Sequence, residues 1–451
     1  MTATQLSLCL FDTTSLASGL TLDAGPTSIR PATEEAEPPT TPLLPEALTQ
    51  PLAPRRVERR GSTSNFRLAG DRPLAKSWRG RAENNIAAIR LMKQIAGEGR
   101  EATAEEQAAL IRFIGFGASE LATTCFRRPG EDGFKAGWET LGAELQGLVT
   151  EAEYAGLART TQYAHYTPES IVRAVWAGLE RLGFTGGRIL EPGVGTGLFI
   201  ALMPEAVQNG SAVTGIEFDA ISAGMSRLLY PAASIRHEDF TRARLSGRYD
   251  LAVGNPPYSD RVVRADPAYR ALGLRLHDFF IAKAIDSLRP GGLAAFVTST
   301  GTMDKVDPSA RAYIAASADL LGAIRVPEGS FRATAGTEVV VDVLFFQKRD
   351  DGAASGGAAW DSTMVPAGWP ADAAPMAINR YWIEHPEMLL GEHAPRHGFH
   401  GPGQDYTCKP RPGTDLAAAL AVAVQRLPEA LYTAHSRDLD EGEEPEFEAP
   451  S

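Results

Sequence analysis

Apolar residues recur at helical spacing through residues 80–160 and then shift to short, strand-length runs. In ENNIAAIRLMKQI, Ile86, Ile89, Leu91, Met92 and Ile95 fall three to four residues apart and mark one helix face. Thr103, with Glu106 three residues on, is a capping-box pair that opens a second helix through TAEEQAALIRFIGFG, and Gly115 and Gly117 are placed to end it. Residues 61–160 are therefore predicted to form an α-helical subdomain. Thr167 and Pro168 then supply an N-cap and a first-turn proline ahead of the stripe Ile171, Val175, Leu179 and Leu182. Beyond that stripe, apolar runs at 188–191, 212–217, 250–254 and 293–299 alternate with helical patterns at 219–230 and 277–288. Strands separated by helices predict an α/β fold, its sheet mostly parallel with helices on both faces. The run EVVVDVLFFQK at 338–348 is dense in β-branched and aromatic residues and reads as a strand pair or an inserted edge strand.

The flanks are weaker. Residues 1–60 are rich in Pro, Thr and Glu with few large apolar groups, a composition that cannot offset the entropy of ordering, and they read as a disordered segment. It ends in Arg55, Arg56, Arg59 and Arg60, either a solvated linker run or an arm that touches phosphate. Residues 350–436 form a C-terminal extension that starts as a glycine-rich linker. In it Trp369, Tyr381 and Trp382 are candidates to pack back on the core, and one helix is predicted from Asp415 to Leu427. Residues 437–451 are an acidic tail.

Charge and cysteine usage narrow the class. The 451 residues carry 44 basic and 56 acidic groups, net −12, which excludes a protein coated in positive charge but leaves room for a local basic groove. Cys9, Cys125 and Cys408 lie far apart and form no CxxC pair, which argues against a disulfide framework or zinc ribbon and for a reducing interior. There is no basic leader and no apolar run near the roughly 18 residues that span a bilayer, so the expected setting is the cytoplasm, away from membranes. His385, His393, His397 and His400 cluster, yet no Cys or acid completes a ligand spacing, and no metal is expected.

The strongest local motif is ILEPGVGTGLF. A strand runs into Glu191 and Pro192, and Gly193, Gly195 and Gly197 alternate before a helix begins. Glycines there let the backbone turn sharply and let a ligand approach the main chain. The spacing is G-x-G-x-G, with Leu198 where a dinucleotide fold would continue, and no GK[ST] follows, which excludes a phosphate-cradling P-loop. Glu191 would repel a pyrophosphate, so the ligand is neutral to cationic, and S-adenosylmethionine, with its ammonium and sulfonium, meets that requirement. Glu217 closes the next strand about 20 residues on, where a carboxylate can accept ribose hydroxyls. Asp239, in HEDF, is placed to accept from the adenine amino group.

After the strand DLAVG comes Asn255-Pro256-Pro257-Tyr258. An exocyclic adenine amine is a poor nucleophile because its lone pair is delocalised into the ring. The Asn255 amide oxygen and the Pro256 carbonyl can accept its two N–H bonds and free that lone pair for in-line attack. The two prolines stiffen the loop, and Tyr258 offers a ring face to an extruded base. With AHYTP, EPGVGTG, GIEFD, HEDF, NPPY, HDFF, GGLAAFVTST and IRVPEGSFRATAGTEVVVDVLFFQK in order, residues 161–349 resemble the γ group of N6-adenine DNA methyltransferases. The last two segments are also similar to modification subunits of type I restriction systems. The helical block resembles the segment before the methylase in large plasmid- and phage-borne adenine methylases, some of which add a helicase-like half.

The resemblance implies a Rossmann-like S-adenosylmethionine-dependent methyltransferase fold with a mixed seven-stranded sheet. It implies methyl transfer to N6 of adenine in double-stranded DNA, with the base flipped out. It places Tyr166, Thr167 and Pro168 at the helix start that holds the methionine part of the cofactor. It sets Phe280 or Phe279 near the cofactor or behind the catalytic loop, and Phe331 as the aromatic that stacks on the flipped base. The γ group usually adds a sizeable recognition domain after the catalytic one, whereas roughly 100 residues follow here. Low sequence specificity is therefore expected, unless the helical block, Arg55–Arg60, or a helicase-like or specificity partner supplies recognition. Two alternatives stay open. One is methylation of a protein glutamine or of ribosomal guanine, since NPPY occurs in those enzymes too; the other is a non-catalytic DNA-binding component of a mobile element.

Overall fold

The computed structural model describes residues 64–434 apart from 128–132, 162–165, 246–247 and 399–400. The predicted disordered segment 1–60, with Arg55–Arg60, and the acidic tail 437–451 lie outside the described residues. The alternation read in the sequence becomes seven strands: β1 (Arg188–Pro192), β2 (Ala212–Glu217), β3 (Ser234–His237), β4 (Tyr249–Gly254), β5 (Leu288–Ser299), β6 (Ala318–Val326) and β7 (Val341–Lys348). They form one sheet in the order β3-β2-β1-β4-β5-β7-β6. β1 to β5 pair in parallel, while β7 runs antiparallel to both β5 and β6. This is the mixed sheet of the Rossmann-like methyltransferase fold. The order reverses between β1 and β4, and the crevice outside the carboxyl ends of strands at such a point is where open α/β sheets bind ligands.

Two features depart from the sequence reading. EVVVDVLFFQK is inserted as expected, but it lies inside the sheet rather than at its edge, because Val341–Leu344 and Phe345–Phe346 are buried on both faces. The edge beyond it is β6, which the pattern missed: ADLLGAIRV is broken by Gly322 and carries Arg325, so its alternation is faint.

Among its described residues the helical block holds the helices Trp78–Glu98, Ala104–Leu110, Ser119–Thr124, Glu139–Leu148 and Glu151–Thr160, while residues 64–77 ahead of them are not helical. Thr103 and Glu106 form the predicted capping box in both directions. The helix they open stops at Leu110 rather than at Gly115, because Phe113, Ile114 and Phe116 turn into the core. Buried Asn85 holds that turn, accepting from Ile114 N at 3.0 Å and donating to the Gly115 carbonyl at 2.5 Å. The block packs on the sheet layer: Met92 fills the space beside Gly224, and Gln107 donates to the Leu228 and Leu229 carbonyls. One hydrophobic core runs through the helical block, the sheet and the C-terminal extension.

In that extension Tyr381 and Trp382 are buried, and Trp369 stacks on Tyr406. The helix Leu416–Val424, capped by the Asp415 side chain, covers the helix Glu169–Arg181. The extension also holds a hairpin, Gly391–Gly398 with Gly401–Pro410, which no strand-like pattern announced. His393 Nδ1 lies 2.9 Å from Tyr406 Oη in that hairpin, and His385 packs on Tyr381. His400 lies outside the described residues. Among those described, no helix is long and apolar enough to cross a membrane.

Candidate active site

The site is built on the carboxyl ends of β1, β2 and β4. After β1 the chain turns at Gly193 and Gly195, with φ of 72° and 56°, values that side-chain-bearing residues rarely adopt. The turn is pinned by Gly193 N and Val194 N, both donating to the Ile216 carbonyl on β2. A Cβ built on Gly193 would come no closer than 3.8 Å to Phe280 and Pro257, and one on Gly195 would lie 4.0 Å from Tyr166. These two glycines therefore face a cleft walled by the residues predicted to hold cofactor. Gly197 points the other way and packs on the Tyr230 ring, whose hydroxyl donates to the Thr196 and Gly197 carbonyls at 2.9 and 2.6 Å.

Two acids border the glycine turn, and a third follows β3. Glu191 is 3% exposed, and its Oε2 has no hydrogen-bond partner among the described residues. Burial, reinforced by the charge of Glu217, lifts its carboxyl well above the usual range. A buried acid in that state favours a cation beside it. Glu217 accepts from Gly195 N at 2.7 Å and Asp219 N at 2.8 Å, which aims its carboxylate along the glycine turn. Burial pushes its carboxyl up to about 7, against the pull of those two N–H donors. Asp239 spends Oδ1 on Thr241, accepting from its N–H and hydroxyl, and caps the turn that leads into Phe240. Phe240 in turn packs on Phe280 at 4.6 Å between centroids.

Tyr166, Thr167 and Pro168 precede the helix Glu169–Arg181, as the resemblance implies, but the cap differs from the prediction. Pro168 is the N-cap, and the helix has no side-chain cap. The Thr167 hydroxyl instead accepts from Asn255 Nδ2 at 3.0 Å. The start of the helix and the Asn255-Pro256-Pro257-Tyr258 loop are thus tied across 88 residues of chain. Tyr166 is held from behind by Gly115, where a Cβ would sit 2.7 Å from the ring, so the helical block buttresses this wall of the cleft.

The tetrapeptide follows β4 directly, with Pro256 buried and Asn255, Pro257 and Tyr258 half-buried. Phe280 is 6% exposed and reaches the cleft, while Phe279 is fully enclosed among Phe240 and Tyr269. Phe331 requires correction. It is 0% exposed, caps the short helix Arg332–Ala335 and belongs to the core, so its ring presents no face to an incoming base. Sequence reading also missed Phe218. It follows Glu217 at the strand end and is 57% exposed, a ring beside the acid placed for ribose. An exposed aromatic directly after a strand-end acid is the signal that could have found it.

Residues 152–358 match the family model for N-6 DNA Methylase. The matched segment is thus similar to that family over the whole of the seven-stranded sheet. Over 190 residues the chain is 30% identical to Defense against restriction protein B of Escherichia phage P1, an alignment that covers 41% of this chain and 8% of that protein. It is 29% identical over 209 residues to Type II methyltransferase M.XamI of Xanthomonas campestris pv. amaranthicola, covering 41% of this chain and 38% of that one. The chain therefore spans less than half the length of these relatives. A type I restriction-modification methyltransferase subunit from Streptococcus thermophilus aligns with a TM-score of 0.36 at 14% identity, over 59% of this chain and 66% of that one.

The methylase domain's cofactor is S-adenosylmethionine, and the cleft fits it: an orphaned buried acid for an ammonium, a strand-end carboxylate for ribose, and a glycine turn that leaves the volume open. If Glu217 takes the ribose as its place at the end of β2 predicts, its ionised carboxylate accepts both hydroxyls best, and affinity is expected to rise with pH. Calorimetry should show S-adenosylhomocysteine binding strengthen from pH 6 to pH 8, and Glu217→Gln should bind weakly with that slope much reduced.

Proposed function

We propose that the protein methylates the N6 amine of adenine in DNA. The observation that carries this reading is the bond between Thr167 and Asn255, which fixes the tetrapeptide's amide beside a cofactor cleft. With the nitrogen end of the amide engaged by Thr167, the oxygen end is the acceptor for a substrate amine, and the Pro256 carbonyl is the second. Two acceptors held by a stiff Pro-Pro loop draw both N–H bonds away from the ring plane and localise the nitrogen lone pair. When bound, S-adenosylmethionine supplies an electrophilic methyl on its sulfonium. The chain's part is to hold the amine in line with it, and the half-buried Tyr258 supplies the ring for a flipped base.

Nucleic acid is favoured over a protein substrate by a cavity of about 820 Å³ lined by Arg242, Arg244, Arg264 and Arg270, with Lys283, paired to Asp266, joining it to the Phe240 and Phe280 rings. Arg264 and Arg270 stand on the segment that follows Tyr258, so cationic charge gathers near the catalytic loop of an acidic protein. Phosphate contacts there would dock a duplex without reading its sequence. Changing Arg242, Arg264 and Arg270 together to Gln should lower the slope of log affinity against log salt by about 3, with S-adenosylhomocysteine binding unchanged.

The deciding experiment offers tritiated cofactor with plasmid DNA, ribosomes or release factor. Label in DNA, recovered as N6-methyladenine, supports the proposal. Label in protein or RNA with none in DNA overturns it.

A further inference from the structure

Arg72 lies outside every motif of the methylase, in the extended stretch before the first helix. That stretch is laid against the cofactor domain, with Phe66 N donating to the Leu229 carbonyl and Leu68 N to that of Ala201. It delivers Arg72 to the start of the helix Glu169–Arg181, where the side chain is 0% exposed. Its Nε donates to Glu169 Oε1 at 2.5 Å, and its Nη2 points to the Thr167 carbonyl at 3.4 Å. Nη1 is buried with no hydrogen-bond partner among the described residues. A guanidinium nitrogen left unmatched inside a protein is costly, and it marks a place where an acceptor belongs.

The amino-acid end of S-adenosylmethionine is a zwitterion, with a cationic ammonium and an anionic carboxylate side by side. Glu191 Oε2 is an unmatched buried acceptor among the described residues. Its charge and that of Arg72 act in opposite senses on one hydroxyl, that of Tyr230, which is bonded to the glycine turn. Arg72 touches Thr167, and the neighbouring Tyr166 faces Gly195, so the unmatched nitrogen of Arg72 belongs to the helix start that walls the glycine turn carrying Glu191. Among the described residues two other buried arginines have an unmatched nitrogen, and both sit elsewhere, Arg325 with Asp342 and Asp304 and Arg311 with the Thr302 and Lys305 carbonyls.

We propose that Arg72 is the carboxylate anchor of the cofactor site, its Nη1 binding the α-carboxylate of S-adenosylmethionine while Glu191 takes the α-ammonium. The proposal rests on the cofactor and not on the identity of the methylated substrate. It also links binding to catalysis: Arg72 holds the Thr167 carbonyl while the Thr167 hydroxyl holds Asn255, so the anchor and the catalytic amide share one residue.

The test compares two ligands by calorimetry on the full chain: S-adenosylhomocysteine, which keeps the carboxylate, and decarboxylated S-adenosylmethionine, which lacks it. Arg72→Met is expected to weaken the first roughly 10- to 100-fold and the second less than about threefold, as befits loss of a charged hydrogen bond. Arg72→Lys keeps a point charge for Glu169 but cannot serve two carboxylates at once, so it should show the same preference and carries the comparison if the Met variant does not fold. Equal weakening of both ligands, or of neither, makes Arg72 a strut for Glu169 and overturns the proposal. Wild-type protein that took up neither ligand would overturn the cofactor assignment as well, which keeps the two failures apart.

Discussion

Asn255→Ala is expected to lower methyl transfer roughly 100- to 1,000-fold while S-adenosylhomocysteine binds the variant about as it binds the wild type. The split follows from where Asn255 stands. It belongs to the loop after β4, whereas the cofactor contacts proposed above come from β1, β2, Tyr166–Thr167 and Arg72. Removing the amide deletes an acceptor that matters most as the amine changes shape on the way to the transition state, so the loss belongs in kcat. Single-turnover assays with saturating cofactor, beside calorimetry, measure both halves. Thr167→Val should move the same way by a smaller factor, since it leaves the amide present but untied. Full activity in Asn255→Ala would remove the catalytic reading of the tetrapeptide.

Arg325→Met is expected to cost about 3–5 kcal/mol of folding free energy, because it takes the cation out of a buried ionic network. Arg325 on β6 is fully enclosed. It donates from Nε and Nη2 to the two oxygens of Asp342 on β7, both at 2.8 Å, and pairs with Asp304 at 2.8 Å. Its guanidinium also stacks on Trp382 and Tyr406, and its carbonyl accepts from Leu390 N at 3.0 Å. One side chain therefore joins the two antiparallel strands to the C-terminal extension. Urea denaturation monitored through tryptophan fluorescence reads the loss. Adding Asp342→Leu to the Met variant should restore part of it, since the orphaned carboxylate is then gone. A variant as stable as the wild type would show that the extension is held by apolar packing alone.

Much of the catalytic layer was legible locally. The positions of β1, β2, β4 and β5, the capping box at Thr103 and the stripe on the helix Glu169–Arg181 follow from periodicity and cap chemistry within a dozen residues. The glycine turn was legible for the same reason, since only glycine is at ease at those backbone angles. Errors came where distant chain overrode local preference. Thr167 had a short-range chance to cap a helix and instead bonds Asn255. The second helix of the block stopped early because burying Phe113, Ile114 and Phe116 outweighs further helical bonds at the surface. β6 and the hairpin Gly391–Pro410 have little strand character of their own: β6 pairs with β7, and the hairpin lays its Tyr406 ring on the Arg325 guanidinium.

By itself the sequence determined the class of chemistry: an acid-flanked glycine turn after one strand and an amide with two prolines after another, whose spacing along the chain sets both at the same end of a parallel sheet. Tertiary structure alone decided which groups are left wanting a partner. Whether Glu191 and Arg72 are satisfied, whether Phe331 shows a face, and which way the Asn255 amide turns depend on neighbours tens to hundreds of residues away. Electrostatic demand arises from burial, and burial is a property of the packed molecule rather than of any stretch of chain.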